Sequence, residues 1–333
     1  MKKRLFIFAL TAVLVMMTFV SCSSSQGVAV NISGAEISEG IYTYFYDYVL
    51  SNKDELGLEE ADGSKKAEDE TVRLLKEYVA VNSMSERLGI SLSYTLKAQT
   101  ADDTDSRWEL FGKYYSSIGM TKQDLNKILT NKALKSALVD YYYGEDSKIK
   151  PTSTEELKNE FTKKYIGIKV IAASLTTTDT MGNTVALDNY ELSNIRNMFQ
   201  TMRDRLNGGT DIDSVYSAYI TNLDLIGTQS LETYVMTESS VGYGEDFFSK
   251  ISSLSYNTAA VIEDESTIYL AYRIDISGDD LGYFVTYKSD ILEELCLSKL
   301  EKKISAEAEK YKLIKEHTSV TSKIRGRVEK KHG

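Results

Sequence analysis

The chain has 333 residues and carries 39 Lys and Arg against 49 Asp and Glu, a net charge of −10. This acidic balance argues against a nucleic-acid-binding protein, which needs a basic surface against phosphate. The two cysteines, Cys22 and Cys296, are too few for a disulfide framework or the common cysteine-rich zinc sites. The two histidines, His317 and His332, both lie near the C-terminus, so nucleophile–histidine catalysis in the body of the chain is not expected.

Residues 1–21 have the pattern of a secretory signal peptide. Three basic residues at positions 2–4 precede an uncharged apolar run, Leu5–Val20. This run is shorter than the roughly 20 residues that a membrane-spanning helix needs. Removal of residues 1–21 would take the net charge from −10 to −13, because the segment contains three basic and no acidic residues.

The residues around Cys22 resemble a bacterial lipobox. Val20 and Ser21 fit that pattern, and Phe19 stands where leucine is usual. The resemblance implies cleavage before Cys22 and a diacylglycerol on its sulfur, which with a second acyl chain gives stable anchoring. Residues 22–30 then form a lipid-anchored linker, and the protein is expected to be extracytoplasmic and attached to the cell membrane. The alternative is an ordinary signal peptide that leaves an unmodified thiol.

Residues 31–164 are predicted to form a helical domain. A short extended segment with a glycine turn leads to a helix that Ser38 caps. Apolar spacing places Phe45 and Tyr48 in the core and the neighbouring tyrosines on the surface. The alternative is that Tyr42, Tyr44, Tyr46 and Tyr48 form an aromatic patch that binds non-native chains. Further helices are predicted over about 69–88, 105–119 and 121–143. The last of these has Thr121 and Asp124 in the positions of a capping box.

Residues 165–277 are predicted to form an α+β domain. Ser153 and Glu156 stand in the positions of a capping box for a helix that precedes it, and the β-branched run "IGIKVIAASLTTT" predicts its first strand. A long helix, two short helices and two strands joined by an acidic turn follow. An amphipathic helix over 281–316 then returns to the first domain and carries Cys296 as a buried thiol. A basic tail, 317–333, is expected to be disordered, with contact to anionic lipid or wall polymers as the alternative.

This order of elements resembles the PrsA/SurA class of extracytoplasmic foldases. The residues that carry the resemblance are "VNISGAEIS", "SSIGMTKQDLNKIL" and "STEELKNEF", together with "GGTDIDSVYSAY" in the insert. The resemblance implies an α+β fold. A SurA-like helical chaperone domain would be formed by the N- and C-terminal helices, with a parvulin-like prolyl isomerase domain inserted between them.

The parvulin-like insert departs from its family at the catalytic positions. Ala173 and Tyr269 stand where the resemblance places the two histidines, so no catalytic residue is assigned. Phe247, or Phe248 in a register shifted by one, matches the substrate-groove phenylalanine. Met236 is the candidate for the groove methionine, and the run 224–227 is similar to the family's Asp-Leu-Gly.

The predicted function is a membrane-anchored chaperone for unfolded or nascent exported polypeptides, without prolyl isomerase activity. No cofactor, metal or nucleic acid is expected. One alternative is an active peptidyl-prolyl cis-trans isomerase with a non-standard site, since twisting an amide requires no nucleophile. The other is a structural or ligand-binding surface lipoprotein. The sequence leaves open whether the protein forms a homodimer.

Overall fold

The computed structural model divides the chain into two compact units. The residues that it describes are 27–58, 63–219, 231–240, 243, 246–278 and 282–332. The helical unit comprises the described residues up to Ile149 and from Cys296 onward, and the sheet unit is Lys150–Leu295. The predicted signal peptide, Cys22 and the run 224–227 lie outside the described residues.

The secondary structure is mixed, which confirms the predicted α+β class. The strands are β1 (Val28–Ile32), β2 (Ala35–Ser38), β3 (Ile166–Ser174), β4 (Thr176–Thr178), β5 (Thr184–Ala186), β6 (Tyr234–Met236), β7 (Thr258–Glu263), β8 (Thr267–Ile274) and β9 (Leu313–Glu316). The helices are α1 (Glu39–Ser51), α2 (Gly63–Leu88), α3 (Tyr94–Ile118), α4 (Lys122–Tyr143), α5 (Thr154–Lys164), α6 (Asn189–Asn207), α7 (Ile212–Tyr219), α8 (Phe247–Ser252), α9 (Tyr283–Ala308) and α10 (Thr318–His332). Among the described residues, none of these helices is both long enough and apolar enough to span a bilayer.

The two ends of the described chain meet in one small sheet of the helical unit. Its strand order is β2-β1-β9, and both pairings are antiparallel. The β1–β2 turn is tight, with Ser33 and Gly34 both at positive φ. Val30 of β1 pairs with Glu316 of β9, so residues almost the whole chain apart are hydrogen-bonded neighbours.

Helix α1 forms the centre of the helical unit, but with a different face from the predicted one. Tyr42 and Tyr46 are fully buried, whereas Tyr48 is 45% exposed and Phe45 is half-buried. The buried residues follow the spacing i, i+4 and i+7 from Tyr42 to Val49, which the neighbouring tyrosines obscure in the sequence. Burial raises the pKa of Tyr42 to about 12.

A buried carboxylate joins the beginnings of α1 and α4. Ser38 caps α1, and its hydroxyl also donates to Asp124 Oδ1 at 2.8 Å. Asp124 completes the predicted capping box of α4 by accepting from the backbone N–H of Thr121 at 3.0 Å. Gly40 lies directly against this carboxylate, where a Cβ atom would clash with it. The approach of α1 to α4 therefore requires glycine at position 40.

The C-terminal residues complete the helical unit, and the disordered tail predicted for 317–333 is wrong. These residues form α10, with Thr321, Ile324 and Val328 buried in the core around α1. Lysines and arginines on the remaining positions conceal this apolar stripe in the sequence. Helix α3 also begins earlier than predicted, at Tyr94, because the Ser93 side chain accepts from the backbone N–H of Leu96.

Helix α9 begins in the sheet unit and ends in the helical unit. Near its end Glu307, which is almost fully buried, accepts from Arg87 of α2 and Lys310, each at 2.8 Å. These hydrogen bonds lower the pKa of Glu307 to about 2. Cys296 is buried on the same helix.

The sheet unit is built on a four-stranded antiparallel sheet with the order β6-β3-β8-β7. One face is covered by α6 and α7 through a cluster that includes Phe199 and Met202, and the other face by α8 through Phe247 and Ile251. Helix α5, predicted to end the helical domain, lies in this unit because Phe161 packs against Phe284 and Tyr287 of α9.

Substitution of Gly40 in α1 and of Gly326 in α10 should have opposite effects on stability. Gly40→Ala should lower the free energy of unfolding of the helical unit by about 2–3 kcal/mol, because the added methyl group displaces Asp124 from its hydrogen bonds. A Cβ atom added by Gly326→Ala in α10 would meet no atom within 4 Å, so this substitution should raise the free energy of unfolding by about 0.5–1 kcal/mol. Urea unfolding followed by the fluorescence of Trp108, the only tryptophan, measures both. Equal effects of the two substitutions would contradict the close approach at Gly40.

The contribution of Glu307 to stability should depend on pH. Glu307→Gln should lower the free energy of unfolding at pH 7 by about 1–2 kcal/mol. Because the folded pKa of about 2 lies below the ordinary value of 4.5, this stabilisation is complete above pH 4.5 and is lost as the pH falls towards 2. Glu301→Gln, which removes an exposed pair with Lys135 on the same helix, is the control and should cost under about 0.5 kcal/mol. Unfolding of both variants is compared over a pH series, and a pH-independent difference between them would refute the assignment.

Candidate functional site

Three residues predicted for a substrate groove lie together on the α8 face of the sheet. Met236, Phe247 and Tyr269 belong to one cluster, and the rings of Phe247 and Tyr269 are 5.6 Å apart between centroids. Met236 and Phe247 are buried, and Tyr269 is half-buried. The predicted groove residues therefore converge in space.

The protein's own side chains fill the place of the groove. The ring of Tyr243 is stacked on Phe247 with a centroid distance of 4.1 Å, and Phe247 is only 2% exposed. The Tyr269 hydroxyl donates to Asp264 Oδ2 at 3.2 Å. Asp264 also accepts from the backbone N–H groups of Ser266 and Thr267, which lower its pKa. One face of the Phe247 ring is therefore covered by Tyr243.

The two positions matched to the parvulin histidines do not face each other. Ala173 lies in the cluster with Phe199 on the α6 face, whereas Tyr269 lies on the α8 face. The residue paired with Tyr269 across the strands is Ala172. A shift of one residue in the match to the parvulin sequence moves a strand side chain to the opposite face of the sheet. The placement of Ala173 and Tyr269 on opposite faces therefore depends on strand register, which sequence similarity does not determine.

Phe248, the alternative groove residue, lies at the edge of the sheet unit. It is half-buried and lines a hollow of about 630 Å³. The other residues of this hollow are mostly polar or charged, among them Lys163, Lys164 and Glu294. Lys164 forms an ion pair with Glu294 at 2.5 Å, so the hollow is not an apolar pocket for a proline side chain.

An open aromatic cleft lies in the helical unit. Its larger part has a volume of about 520 Å³ and is lined by residues of α1, α2, α3, α4 and α9. The apolar and aromatic lining residues are Tyr44, Phe45, Tyr48, Leu74, Tyr78, Val81, Ile128, Leu129 and Ile304. A second hollow of about 260 Å³ shares Tyr44 and Tyr48 with it and adds Phe111, Tyr114 and Tyr115. Together, these two hollows form the aromatic cleft.

Ring packing holds the floor of the aromatic cleft in place. The Phe45 ring contacts Tyr44 edge-on at 5.4 Å and Tyr78 of α2 at 5.8 Å. In the second hollow, Tyr115 contacts both Phe111 and Tyr114 at just over 6 Å. The floor is therefore a preformed surface of fixed rings.

Several rings of the aromatic cleft remain open to solvent. Phe111 is 51% exposed and Tyr114 is 37% exposed, in addition to the exposed Tyr48. A group of exposed aromatic side chains in one concave surface is typical of a binding site.

Charged residues of both signs surround the cleft. Arg73 pairs with Glu70 and Glu77, each at 2.6 Å, and Lys135 pairs with Glu301 at 2.8 Å. These acidic residues balance Arg73 and Lys135, whereas Arg107 and Lys132 also line the cleft and leave its rim with a small excess of positive charge.

Three tyrosines of the cleft, Tyr44, Tyr78 and Tyr114, have raised pKa values and remain neutral at ordinary pH. Burial raises the pKa of Tyr44 and Tyr78, and for Tyr114 the hydrogen bond to Asp47 adds to the effect of burial. The Tyr114 hydroxyl donates to Asp47 Oδ1 at 2.5 Å, and His332 Nε2 lies 2.8 Å from the same oxygen. The aromatic cleft thus offers apolar ring faces with neutral hydroxyl groups.

The sequence predicts this cleft only in part, through the alternative of an aromatic patch on α1. The favoured spacing places Tyr44 on the surface and Tyr48 in the core, and the sequence pattern assigns no role to Tyr78 or Phe111. A usable signal exists in α1, where Tyr44 and Tyr48 have the spacing i, i+4 on a face next to the core residues Tyr42 and Tyr46. The contribution of α2 and α3 depends on tertiary packing, which the sequence pattern does not define.

Comparison with known proteins gives similarity at the level of structure only. No protein-family model matches the chain, and no curated protein sequence matches it. The foldase protein PrsA from Streptococcus pneumoniae is similar at 10% identity, over 92% of this chain and 94% of that one, with a TM-score of 0.35. The foldase protein PrsA from Lactococcus lactis is similar at 10% identity over 91% and 99% of the two chains, with a TM-score of 0.39.

A third structure, PrsA from Bacillus subtilis, is 12% identical over 86% of this chain and 93% of that one, with a TM-score of 0.29. All three structures are of the class of protein that the sequence resembles. The function proposed for this chain rests on its own residues.

Proposed function

We propose that the protein is an extracytoplasmic, lipid-anchored chaperone that binds unfolded segments of exported polypeptides in the aromatic cleft. The observation that carries this proposal is the cleft itself, about 520 Å³ with a second hollow of about 260 Å³ beside it. Its floor of fixed aromatic rings is open to solvent, whereas the rings of Tyr243 and Phe247 in the sheet unit are stacked on each other.

The chemistry of the cleft suits an unfolded polypeptide as ligand. Unfolded segments expose apolar and aromatic side chains, which gain free energy when they leave water for the faces of Phe45, Phe111 and Tyr78. The neutral hydroxyl groups and the charged residues of both signs at the rim can contact the different polar residues that occur along such a segment. Such a site favours breadth of binding over recognition of one sequence.

Features of the sheet unit support the proposal that this protein does not isomerise prolyl bonds. Its Phe247 is covered by Tyr243, and Tyr269 is held by Asp264. The sequence of this unit, residues 150–295, contains no histidine. A site that accelerates isomerisation must bind the twisted amide more tightly than the planar one, and a filled groove offers no surface for either.

The chaperone proposal predicts that exposed rings of the cleft suppress aggregation. The double variant Tyr48→Ser/Phe111→Ser should reduce suppression of the aggregation of a denatured test protein at least five-fold, because two open ring faces are lost. The matched control is Tyr94→Ser/Tyr190→Ser, which removes two exposed tyrosines outside the cleft. Light scattering at stoichiometric amounts measures the effect. Equal suppression by both double variants, or none by the parent protein, would overturn the proposal.

Prolyl isomerisation is tested separately with a proline-limited refolding reaction. The protein should leave the slow phase of a reduced test protein unchanged, or slow it by binding the unfolded chain, since uncatalysed isomerisation takes tens of seconds or longer. Phe247→Ala and Tyr269→Phe should have no effect on this rate. Acceleration that either substitution removes would establish an active site built without histidine.

A further inference from the structure

Helix α10 has a basic face beside its buried stripe, on which Lys323, Lys330 and Lys331 are exposed. Lys323, Arg327, Lys330 and Lys331 recur at i, i+4, i+7 and i+8 and therefore form one stripe. With Ser322 and Gly326 they line a shallow groove of about 550 Å³. This concentration of positive charge contrasts with the net charge of −10 of the whole chain.

The charges of this basic face are not neutralised within the protein. None of the four residues forms an ion pair with another residue in the described ranges, whereas Arg325 on the adjoining face pairs with Glu68 and Glu316. The Arg327 guanidinium packs against Gly119, and its Nε and Nη2 are buried without a hydrogen-bond partner among the described residues. A fixed cation without a counter-ion leaves a positive field at the groove.

The core holds α10 in a fixed position, so the basic face has a defined direction on the helical unit. Ile324 and Val328 are buried beneath it. The Tyr46 hydroxyl donates to Glu329 Oε1 at 2.7 Å, and His332 contacts Asp47 at the end of the helix. The basic stripe is therefore part of a rigid element.

The beginning of α10 lies next to the point where the chain enters the helical unit from the proposed lipid anchor. The backbone N–H of His317 donates to the carbonyl oxygen of Ala29 at 2.9 Å. Cys22 precedes Gly27 by five residues, which span at most about 17 Å when fully extended. An acyl chain on Cys22 would thus keep this end of the helical unit close to the bilayer surface.

We propose that the basic face of α10 binds the phosphate headgroups of an anionic lipid surface and so seats the helical unit on the membrane. This inference extends the proposed lipid anchor and is independent of the binding of polypeptides. The acidic remainder of the chain is repelled by the same surface, so the unit would contact the bilayer in one orientation. A single additional contact of this kind strengthens attachment that acyl chains provide.

Vesicle binding by the unacylated protein tests the inference without the anchor. Residues 22–333 with Cys22→Ser are sedimented with vesicles of phosphatidylglycerol and phosphatidylcholine in equal parts, and with vesicles of phosphatidylcholine alone. Binding is expected only to the anionic vesicles and should weaken as salt is raised. Lys323→Gln/Lys330→Gln/Lys331→Gln should reduce it about 100-fold, since each basic residue near such a surface contributes roughly five-fold.

The matched control replaces three exposed lysines elsewhere on the helical unit, Lys97, Lys113 and Lys127, with glutamine. It makes the same change in net charge and should leave vesicle binding unchanged, and thermal unfolding checks that both triple variants fold. Equal loss in the two variants, or equal binding to both vesicle types, would overturn the inference.

A further arm adds inorganic phosphate at constant ionic strength, which should leave vesicle binding unchanged. Displacement of the protein by phosphate would instead indicate a discrete anion site and would also overturn the membrane contact. The triple lysine variant should still suppress aggregation in solution, because the aromatic cleft is intact. Loss of vesicle binding with retained suppression, or the reverse, therefore separates failure of this inference from failure of the chaperone proposal.

Discussion

The aromatic cleft depends on one buried carboxylate, that of Asp124. This side chain accepts hydrogen bonds from Ser38 at the beginning of α1 and from Thr121 at the beginning of α4, so it fixes the two helices to each other at one end. Glycine at position 40 permits the close approach. One turn beyond these anchors, α1 presents Tyr44 and Phe45, and α4 presents Ile128 to the same cleft. Loss of the Asp124 carboxylate would open the capping box of α4 and remove the hydrogen bond from Ser38 that joins α4 to α1.

The two units use aromatic residues in opposite ways. In the sheet unit, Tyr243, Phe247 and Tyr269 pack against one another and occupy the place where the predicted groove would open. In the aromatic cleft of the helical unit, Tyr44 contacts Phe45 edge-on and Phe111 contacts Tyr115 edge-on, and Phe111 stays 51% exposed to solvent. Apolar surface that is already buried in a filled cluster stabilises the fold, and a ligand gains no free energy by covering it again. Apolar surface that is still exposed in an open cluster can stabilise a complex with a ligand. The contrast places the proposed binding activity in the helical unit and a structural role in the sheet unit.

Local signals in the sequence predicted much of the fold. The cap at Ser38, the capping box of α4 and the order of strands and helices in the insert each depend on residues close together in the chain, and the structure contains all of them. The features that the sequence did not predict depend on tertiary packing. The burial of Tyr42 instead of Tyr48 is decided by α10, a helix hidden by its basic residues. The separation of Ala173 from Tyr269 depends on strand register. The aromatic cleft requires five helices to converge, and no single segment contains that information.

The pairing of β1 with β9 has a consequence for how the chain reaches its native state. Synthesis proceeds from the N-terminus, and Val30 acquires its partner Glu316 only when nearly the whole chain is available. Until then Tyr46 and the other core residues of α1 lack the cover of α10. The sheet unit, by contrast, is one continuous segment and has its partners much sooner. Contacts of such long sequence separation form slowly. The half of the molecule proposed to protect unfolded chains is thus itself the last to fold, and for that interval it exposes the kind of surface that it is proposed to bind.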